Sequence, residues 1–245
     1  MQAKFLFAGL LLMICAVAAA AQKTKPWTEW SEKEADKVLN DSGWAQTQSE
    51  GDSAPQSTSS SAITATTTAR REDSNIAAAS RVESGEKKDS PSVHYRVRLL
   101  SAKPIRAAII RKIELQGAPA ERVAQMRAFV DRDFSDYIVV TISIEGDKRR
   151  AAPSIQELMT NDPEAFKTVA YLERKDGKRV TLMEYRAPIQ DNLGAKFVFP
   201  RKLEGKPFID TDSGEMHFVT QLGKNTKINR RFKVSEMTFE GKLEY

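Results

Sequence analysis

The stretch WTEWSEKEADKVLNDSGWAQ, residues 27–46, contains all three tryptophans of this 245-residue chain. Ser31 and Glu34 have the spacing of a capping box, in which each side chain hydrogen-bonds the backbone amide of the other residue at a helix start. The pattern predicts a helix from Glu32 to about Leu39. Because two helical turns are unstable alone in water, this segment must pack against another surface.

The apolar side chains of this stretch form the candidate interaction site. Ala35, Val38 and Leu39 lie on one face of the predicted helix. Gly43 is suited to the left-handed conformation in which many helices end. The face could dock onto the chain's own C-terminal domain, recognise another protein, or lie in a membrane interface. A membrane interface is disfavoured because the polar face carries charges of both signs and is net negative. The predicted interaction residues are Trp27, Trp30, Val38, Leu39 and Trp44.

Residues 1–21 have the features of a secretory signal peptide. Lys4 supplies a positive charge, Phe5 to Val17 is almost purely apolar, and four alanines offer a cleavage site near Ala21. We therefore expect an exported protein that is periplasmic or extracellular, with an uncleaved membrane anchor as the alternative. The single cysteine, Cys15, lies in this segment, so the mature chain would form no disulfide or zinc–cysteine site.

Residues 47–92 differ in composition from the sequence on either side. This tract is rich in Ser, Thr and Ala, lacks aromatic residues, and contains only isolated Ile and Val. Such a sequence buries too little apolar area to offset the entropy lost on ordering. The composition predicts a disordered linker between the Trp-rich helical segment, residues 22–46, and a folded domain, residues 93–245.

Strands and two principal helices are predicted in the first half of this domain. Val93–Leu100 alternates between apolar and polar residues, and Tyr137–Glu145 is a nearly continuous apolar run typical of a central strand. Two helices are expected between them, from Pro104 to Gly117 and from about Pro119 to Phe134. With consecutive strands following, the order predicts an α+β fold with a mainly antiparallel sheet.

Shorter elements are predicted in the second half. Ala152–Lys167 should form short helices that start at Pro153 and Pro163. Asp176 and Gly177 predict a hairpin turn. The expected strands are Val169–Arg174, Arg179–Arg186, Ala195–Phe199, Met216–Gln221, Ile228–Val234 and Met237–Tyr245.

Positive charge is concentrated in the C-terminal domain. Residues 93–245 contain 28 basic and 21 acidic residues, a net charge of +7, whereas residues 22–92 are net negative. In an exported protein this charge favours an anionic surface polymer, such as an acidic glycan or lipid headgroups, as a partner. No nucleic-acid partner is expected, because the basic pairs are dispersed and little interleaved with aromatic residues.

Sequence patterns that carry catalysis or bind metals are weak. His94 and His217 lie on different predicted strands and lack metal-ligand spacing. The acidic stretch Asp210–Glu215 fits a turn better than a calcium loop. The sequence therefore predicts no catalytic, metal-binding or cofactor-binding residue. It favours a non-enzymatic envelope or extracellular interaction module, with a carboxylate-based hydrolase as the alternative.

The pattern W-x-x-W-S-x-K-E-A-x-x-x-L-x-D-S-x-W-A, at residues 27–45, resembles a family of uncharacterised secreted proteins from Acidobacteria. Residues 171–178, 232–234 and 240–245 look like the same family. The resemblance implies a signal peptide, a Ser/Thr-rich spacer and an α+β domain, and it implies no activity. Gly43 departs from this family's pattern, in which proline is expected, and this changes the helix exit.

Overall fold

The computed structural model describes residues 25–50, 92–160, 162–189 and 191–245. These residues form five α-helices and two main antiparallel sheets, which confirms the predicted α+β class. The predicted signal peptide and residues 51–91 of the predicted linker lie outside the described residues. Among the helices of the described ranges, none has the length and apolar character needed to cross a bilayer.

A five-stranded antiparallel sheet forms the middle layer, with the strand order β1-β2-β3-β7-β6. Strand β3 is central, as its apolar run predicts, and its core-facing residues pair with apolar residues on both neighbours. Strands are numbered in chain order. The strands of this sheet are β1 Ala45–Ser49, β2 Val93–Leu99, β3 Tyr137–Gly146, β6 Glu184–Arg186 and β7 Ala195–Pro200.

A four-stranded antiparallel sheet packs on one face of the first, with the order β11-β10-β4-β5. The ring of Phe218 lies 5.4 Å from that of Phe197 and 6.1 Å from that of Phe199, so aromatic side chains join the two sheets. The strands of this sheet are β4 Tyr171–Arg174, β5 Arg179–Thr181, β10 Glu215–Leu222 and β11 Thr226–Lys233. Two short hairpins complete the strands: β8 Lys202–Leu203 with β9 Lys206–Pro207, and β12 Thr238–Phe239 with β13 Lys242–Leu243.

Three helices pack on the opposite face of the five-stranded sheet. On this face Arg98 of β2 donates to the Leu39 carbonyl at 2.7 Å, which fixes the end of the first helix over the sheet. Two further helices contact the core face, where Phe166 stacks 4.3 Å from Tyr185. The helices are α1 Glu32–Asn40, α2 Lys103–Leu115, α3 Ala120–Val130, α4 Lys148–Thr160 and α5 Pro163–Val169.

Helix boundaries differ from the prediction in the middle of the chain. Helix α4 begins at Lys148 rather than at Pro153, because the Asp147 carboxylate accepts hydrogen bonds of 2.9 Å from the amides of Arg149 and Arg150. This makes α4 a third long helix beside the two predicted ones. Helix α3 ends at Val130, four residues before the expected Phe134.

Two strand predictions and the start of the predicted linker also need correction. The run Arg179–Arg186 contributes β5 to one sheet and β6 to the other, since the chain crosses between the sheets after Thr181. The C-terminal run from Met237 forms a hairpin, β12 with β13, whose turn places Glu240 and Gly241 at positive φ. Strand β1 was not predicted, and it extends to Ser49, into the range assigned to the linker.

The helix exit at Gly43 differs from the expectation as well. Its φ lies outside the left-handed region. Instead, a Cβ atom at this position would lie 2.3 Å from the backbone oxygen of Glu236. Glycine is therefore required here by the close approach of a second backbone, and not by a left-handed helix end.

Candidate functional site

The tryptophan segment packs against the C-terminal part of the chain. The rings of Trp30 and Trp44 lie 6.1 and 6.3 Å from the ring of Phe239, each in an edge-to-face arrangement. Trp30 is 9% exposed and Trp44 is 8% exposed. Both indoles are thus covered by residues of their own chain.

Hydrogen bonds and an ion pair fix the position of the segment. The Trp44 indole donates to the Glu244 carbonyl at 2.7 Å, and Arg111 of α2 donates to the Trp30 carbonyl at 2.6 Å. Lys112 of α2 forms a 2.6 Å ion pair with Asp36 of α1. These contacts give the short helix the packing surface that its length requires.

The other predicted interaction residues lie in two different environments. Trp27 and Val38 are partly buried against the core, and the Arg127 guanidinium lies 5.9 Å from the Trp27 ring. Leu39 is buried and lines a cleft at the free edge of β3, bordered by α2 on one face of the sheet and by α4 on the other. Of the five predicted interaction residues, only Leu39 belongs to the lining of this cleft.

The cleft has a volume of about 680 Å³, within the usual range for small-ligand sites. It lies between α2 and α4 and is closed on one side by the chain before β7. Its lining is mainly apolar and, among the described residues, contains no aromatic side chain. The aliphatic lining residues are Leu39, Leu100, Ile105, Ile109, Ile113, Ile142, Ile144, Ile155, Leu158, Met159, Ile189 and Leu193.

The cleft exists because β7 is shorter than β3. The pairing of β3 with β7 ends at Ile142 and Ala195, whereas its pairing with β2 continues to Gly146. Gly194 allows the chain to turn away here, since its φ is +86° and a Cβ atom would lie 2.2 Å from the Ile142 oxygen. The last residues of β3 therefore face the cleft instead of another described strand.

Apolar side chains remain accessible at the mouth of the cleft. Ile155 is 40% exposed, Met159 is 52% exposed and Ile189 is 66% exposed. A second cavity of about 660 Å³ lies on the other side of Ile189 and Leu193, over the outer face of β6 and β7. Grouped apolar surface of this kind is typical of binding sites.

Four charged side chains of the described residues line the cleft, and three of them are ion-paired. Lys112 pairs with Asp36, Glu145 with Arg96 at 2.8 Å, and Asp191 with Lys196 at 2.6 Å. The fourth, Arg98, donates to the Leu39 carbonyl, to Ser143 Oγ at 3.0 Å and to Asn40 Oδ1 at 3.2 Å. Burial, with the nearby Arg96 charge, lowers the pKa of Arg98 to about 10.

The histidines and the acidic stretch lie away from the cleft. His94 contacts the hydroxyls of Ser49 and Ser92. His217, on β10, lies near Asn229 of β11. In the parts of the chain that the structure describes, no group of three or more His, Cys, Asp or Glu side chains could hold a metal ion.

The stretch Asp210–Glu215 forms a turn. Asp210 accepts from the Ser213 hydroxyl at 2.7 Å and from the Asp212 amide at 3.1 Å, and Gly214 has a φ of +70°. The Ser213 hydrogen bond is the main reason that the pKa of Asp210 is lowered. The predicted turn is therefore the observed conformation.

Sequence reasoning did not identify the cleft. The four-residue spacing of Ile105, Ile109 and Ile113 predicts a core-facing stripe on α2, but only Ile105 is fully buried. The available signal was the pair Ile155 and Met159, which have the same spacing on α4 without being buried. Apolar residues at helical spacing on α2 and α4 that the core does not fully bury indicate a groove between these two helices.

No protein-family model matches the chain, and no curated protein sequence matches it. Among solved structures, the chain is similar to a protein of unknown function from Burkholderia pseudomallei. That similarity has a TM-score of 0.35 and 12% sequence identity, and covers 56% of this chain and 72% of the other. A similarity this weak supports no inference about function.

Proposed function

We propose that the protein is exported and acts as a binding protein, rather than an enzyme, for an aliphatic ligand that occupies the cleft between α2 and α4. Export is supported by the apolar N-terminal sequence and its alanine-rich end. The binding role is carried by one observation, the aliphatic cleft of about 680 Å³ with exposed apolar side chains at its mouth.

The binding site is assigned to the cleft and not to the tryptophans, because Trp30 and Trp44 are buried. Trp30 and Trp44 are covered by the chain's own domain, so they offer little surface to another molecule. Ile155, Met159 and Ile189 remain exposed beside a preformed cavity. Transfer of an aliphatic chain into such a cavity removes apolar surface from water on both partners.

The carboxylates of the cleft favour binding over hydrolysis. Glu145 and Asp191 are the acidic residues of its lining, and each is held in an ion pair with a neighbouring cation. A carboxylate-based hydrolase requires one carboxyl group as acid and a second as base or nucleophile. Neither of these two side chains is available for such a role without breaking its ion pair.

A blocking variant tests the proposed function. Ile109→Trp places a large ring in the cleft and should abolish saturable binding of decanol, measured by isothermal titration calorimetry. Leu115→Trp is the matched control, because Leu115 lies on the same helix, is 42% exposed and is not part of the lining. Failure of the unmodified protein to bind either decanol or an ionic analogue of the same chain length, or equal decanol binding by both variants, would contradict the proposal.

Binding of an anionic polymer is a second candidate function, favoured by a row of cations on β11. Lys227, Arg231 and Lys233 alternate along the strand and so project from its outer face. Arg231 and Lys233 also pair with Glu215 and Glu236 at 3.3 and 3.1 Å, which reduces the net charge of the row. Affinity for a sulfated polysaccharide should fall with added salt if the row binds it, and a salt-independent affinity would exclude this role.

A further inference from the structure

Two arginines on the helix-covered side of the five-stranded sheet, Arg98 of β2 and Arg106 of α2, differ in how their guanidinium groups are hydrogen-bonded. A guanidinium has five N–H donors. Arg106 uses all of them, because it makes five hydrogen bonds to backbone carbonyl oxygens. The acceptors are the carbonyls of Val130 (twice), Leu100, Ser101 and Arg132.

Arg98 uses only part of its donor capacity. It makes three hydrogen bonds, to Leu39, Asn40 and Ser143, and all three acceptors are uncharged oxygens. Two of its five N–H groups have no acceptor among the described residues, and the side chain lines the cleft. Within the described residues, no carboxylate lies at ion-pair distance from Arg98.

The other charges of the lining compensate Arg98 only weakly, because Glu145 raises the pKa of Arg98 but the charge of Arg96, the ion-pair partner of Glu145, lowers that pKa by more. Lys112, Glu145 and Asp191 are each neutralised by an ion pair with another residue. Among the described lining residues, Arg98 is therefore the one charged side chain without an ion-pair partner, and it lies beside a largely apolar surface. A partly buried charge without a counter-ion is unfavourable, and an anion that enters the cleft would relieve this cost.

We propose that the ligand of the cleft is a monomeric alkyl carboxylate whose headgroup accepts hydrogen bonds from Arg98. The planar guanidinium matches the geometry of a carboxylate, and charge-assisted hydrogen bonds of this kind are stronger than those to neutral acceptors. The aliphatic lining accommodates the chain of the same molecule. This inference rests on the proposed binding function and adds the class of the ligand.

A comparison of headgroups on the unmodified protein tests the proposal. Decanoate, decanol and decyltrimethylammonium share one chain length and differ in charge, and their affinities are measured by isothermal titration calorimetry below micelle formation. Decanoate should bind about tenfold or more tightly than decanol, and decyltrimethylammonium should bind most weakly. Equal or tighter binding of decanol overturns the carboxylate proposal and leaves the binding function standing. Failure of all three to bind overturns the proposed function itself.

Substitutions assign the preference to Arg98. Arg98→Met should reduce decanoate affinity to that of decanol, while decanol still binds. Arg111→Met is the matched control, because Arg111 also donates to a carbonyl of the tryptophan segment but does not line the cleft. Preserved decanoate preference in Arg98→Met overturns the proposal. If that variant does not fold, Arg98→Lys decides, because it keeps the charge and should retain a preference for decanoate over decanol.

Discussion

Thr220 carries a hydroxyl group in the core between the two sheets. The residue is 1% exposed, and its hydroxyl has no hydrogen-bond partner among the described residues. A buried polar group without a partner loses its bonds to water and gains none in the folded state. Thr220→Val keeps the shape of the side chain and removes this penalty. We expect it to raise the free energy of unfolding by about 1 kcal/mol, measured by urea denaturation.

Thr181→Val is the control for this change. Thr181 is exposed on β5 of the same sheet, so the same substitution there should alter stability by less than about 0.5 kcal/mol. A destabilised Thr220→Val variant would show that the buried hydroxyl has a partner in solution.

Glu34 makes the stability of the helix start depend on pH. Hydrogen bonds lower the pKa of Glu34 to about 2, and the bond from Lys25 contributes more than those from Ser31. The unfolded chain therefore binds a proton at this carboxyl group at a higher pH than the folded chain does. Glu34 stabilises the fold at neutral pH, and this contribution is lost progressively as the pH falls below the unfolded pKa toward 2.

Glu34→Gln tests this dependence, since glutamine retains an oxygen acceptor for the Ser31 amide. The unmodified protein should melt at a higher temperature than the variant at pH 7, and the difference should shrink between about pH 5 and pH 3. Glu32→Gln, in the same helical turn, provides the comparison. A difference between the unmodified protein and Glu34→Gln that stays constant over this range would rule out the proposed role of Glu34.

At the scale of elements, Gln48 joins the edges of the two sheets. Its amide nitrogen donates to the Lys227 carbonyl at 2.7 Å, and its amide oxygen accepts from the Asn229 backbone at 3.2 Å. This side chain of β1 thus hydrogen-bonds a carbonyl and an amide of the β11 backbone. Both strands lie at the edge of their sheets. Gln48 is 3% exposed, so these hydrogen bonds are shielded from water.

Gln48→Leu should therefore lower the free energy of unfolding by about 2 kcal/mol or more, because it leaves a buried N–H and a buried carbonyl unpaired. Gln46→Leu is the matched control. Gln46 lies on the same face of β1, is only partly buried and bonds a single carbonyl, that of Ser42. Urea denaturation of both variants distinguishes a specific bridge from a general effect on β1, for which the two losses would be equal.

Elements whose pattern is local were predictable from sequence. The capping box of Ser31 and Glu34, the strand β3 and the hairpin at Gly177 follow from neighbouring residues alone, and the structure contains them. Strand β1 was missed because its sequence, AQTQS, is polar, and its burial depends on Lys227 and Asn229, which are distant in sequence. A prediction from local strand propensity cannot take account of partners that are distant in sequence.

The cleft was unpredictable for a related reason. Its existence depends on β7 beginning only at Ala195, opposite Ile142, so that the last four residues of β3 pair with β2 alone, and strand ends are set by tertiary packing. The sequence predicts only that Arg98 is one of several solvent-facing residues on a strand in which apolar and polar residues alternate. Its special position follows only from α1 crossing above it, where the carbonyl of Leu39 accepts its hydrogen bond.

At the scale of the whole molecule, the tryptophan segment is part of the folded domain. It supplies α1 to the helical layer and β1 to the five-stranded sheet, and Trp44 bonds Glu244 near the C-terminus. The same segment contributes Leu39 to the cleft and a carbonyl to Arg98. Loss of its docking should therefore disturb the binding site as well as the stability.

This arrangement predicts that one cooperative transition unfolds the segment and the domain together. All three tryptophans lie in residues 27–44, so intrinsic tryptophan fluorescence reports on docking of the segment, whereas far-ultraviolet circular dichroism reports mainly on the sheets and helices of the domain. The two signals should change at the same urea concentration, as two-state unfolding requires. A fluorescence transition at lower urea would mean that the segment detaches first. Decanol binding measured between the two midpoints would then show whether the cleft survives without Leu39 and α1 in place.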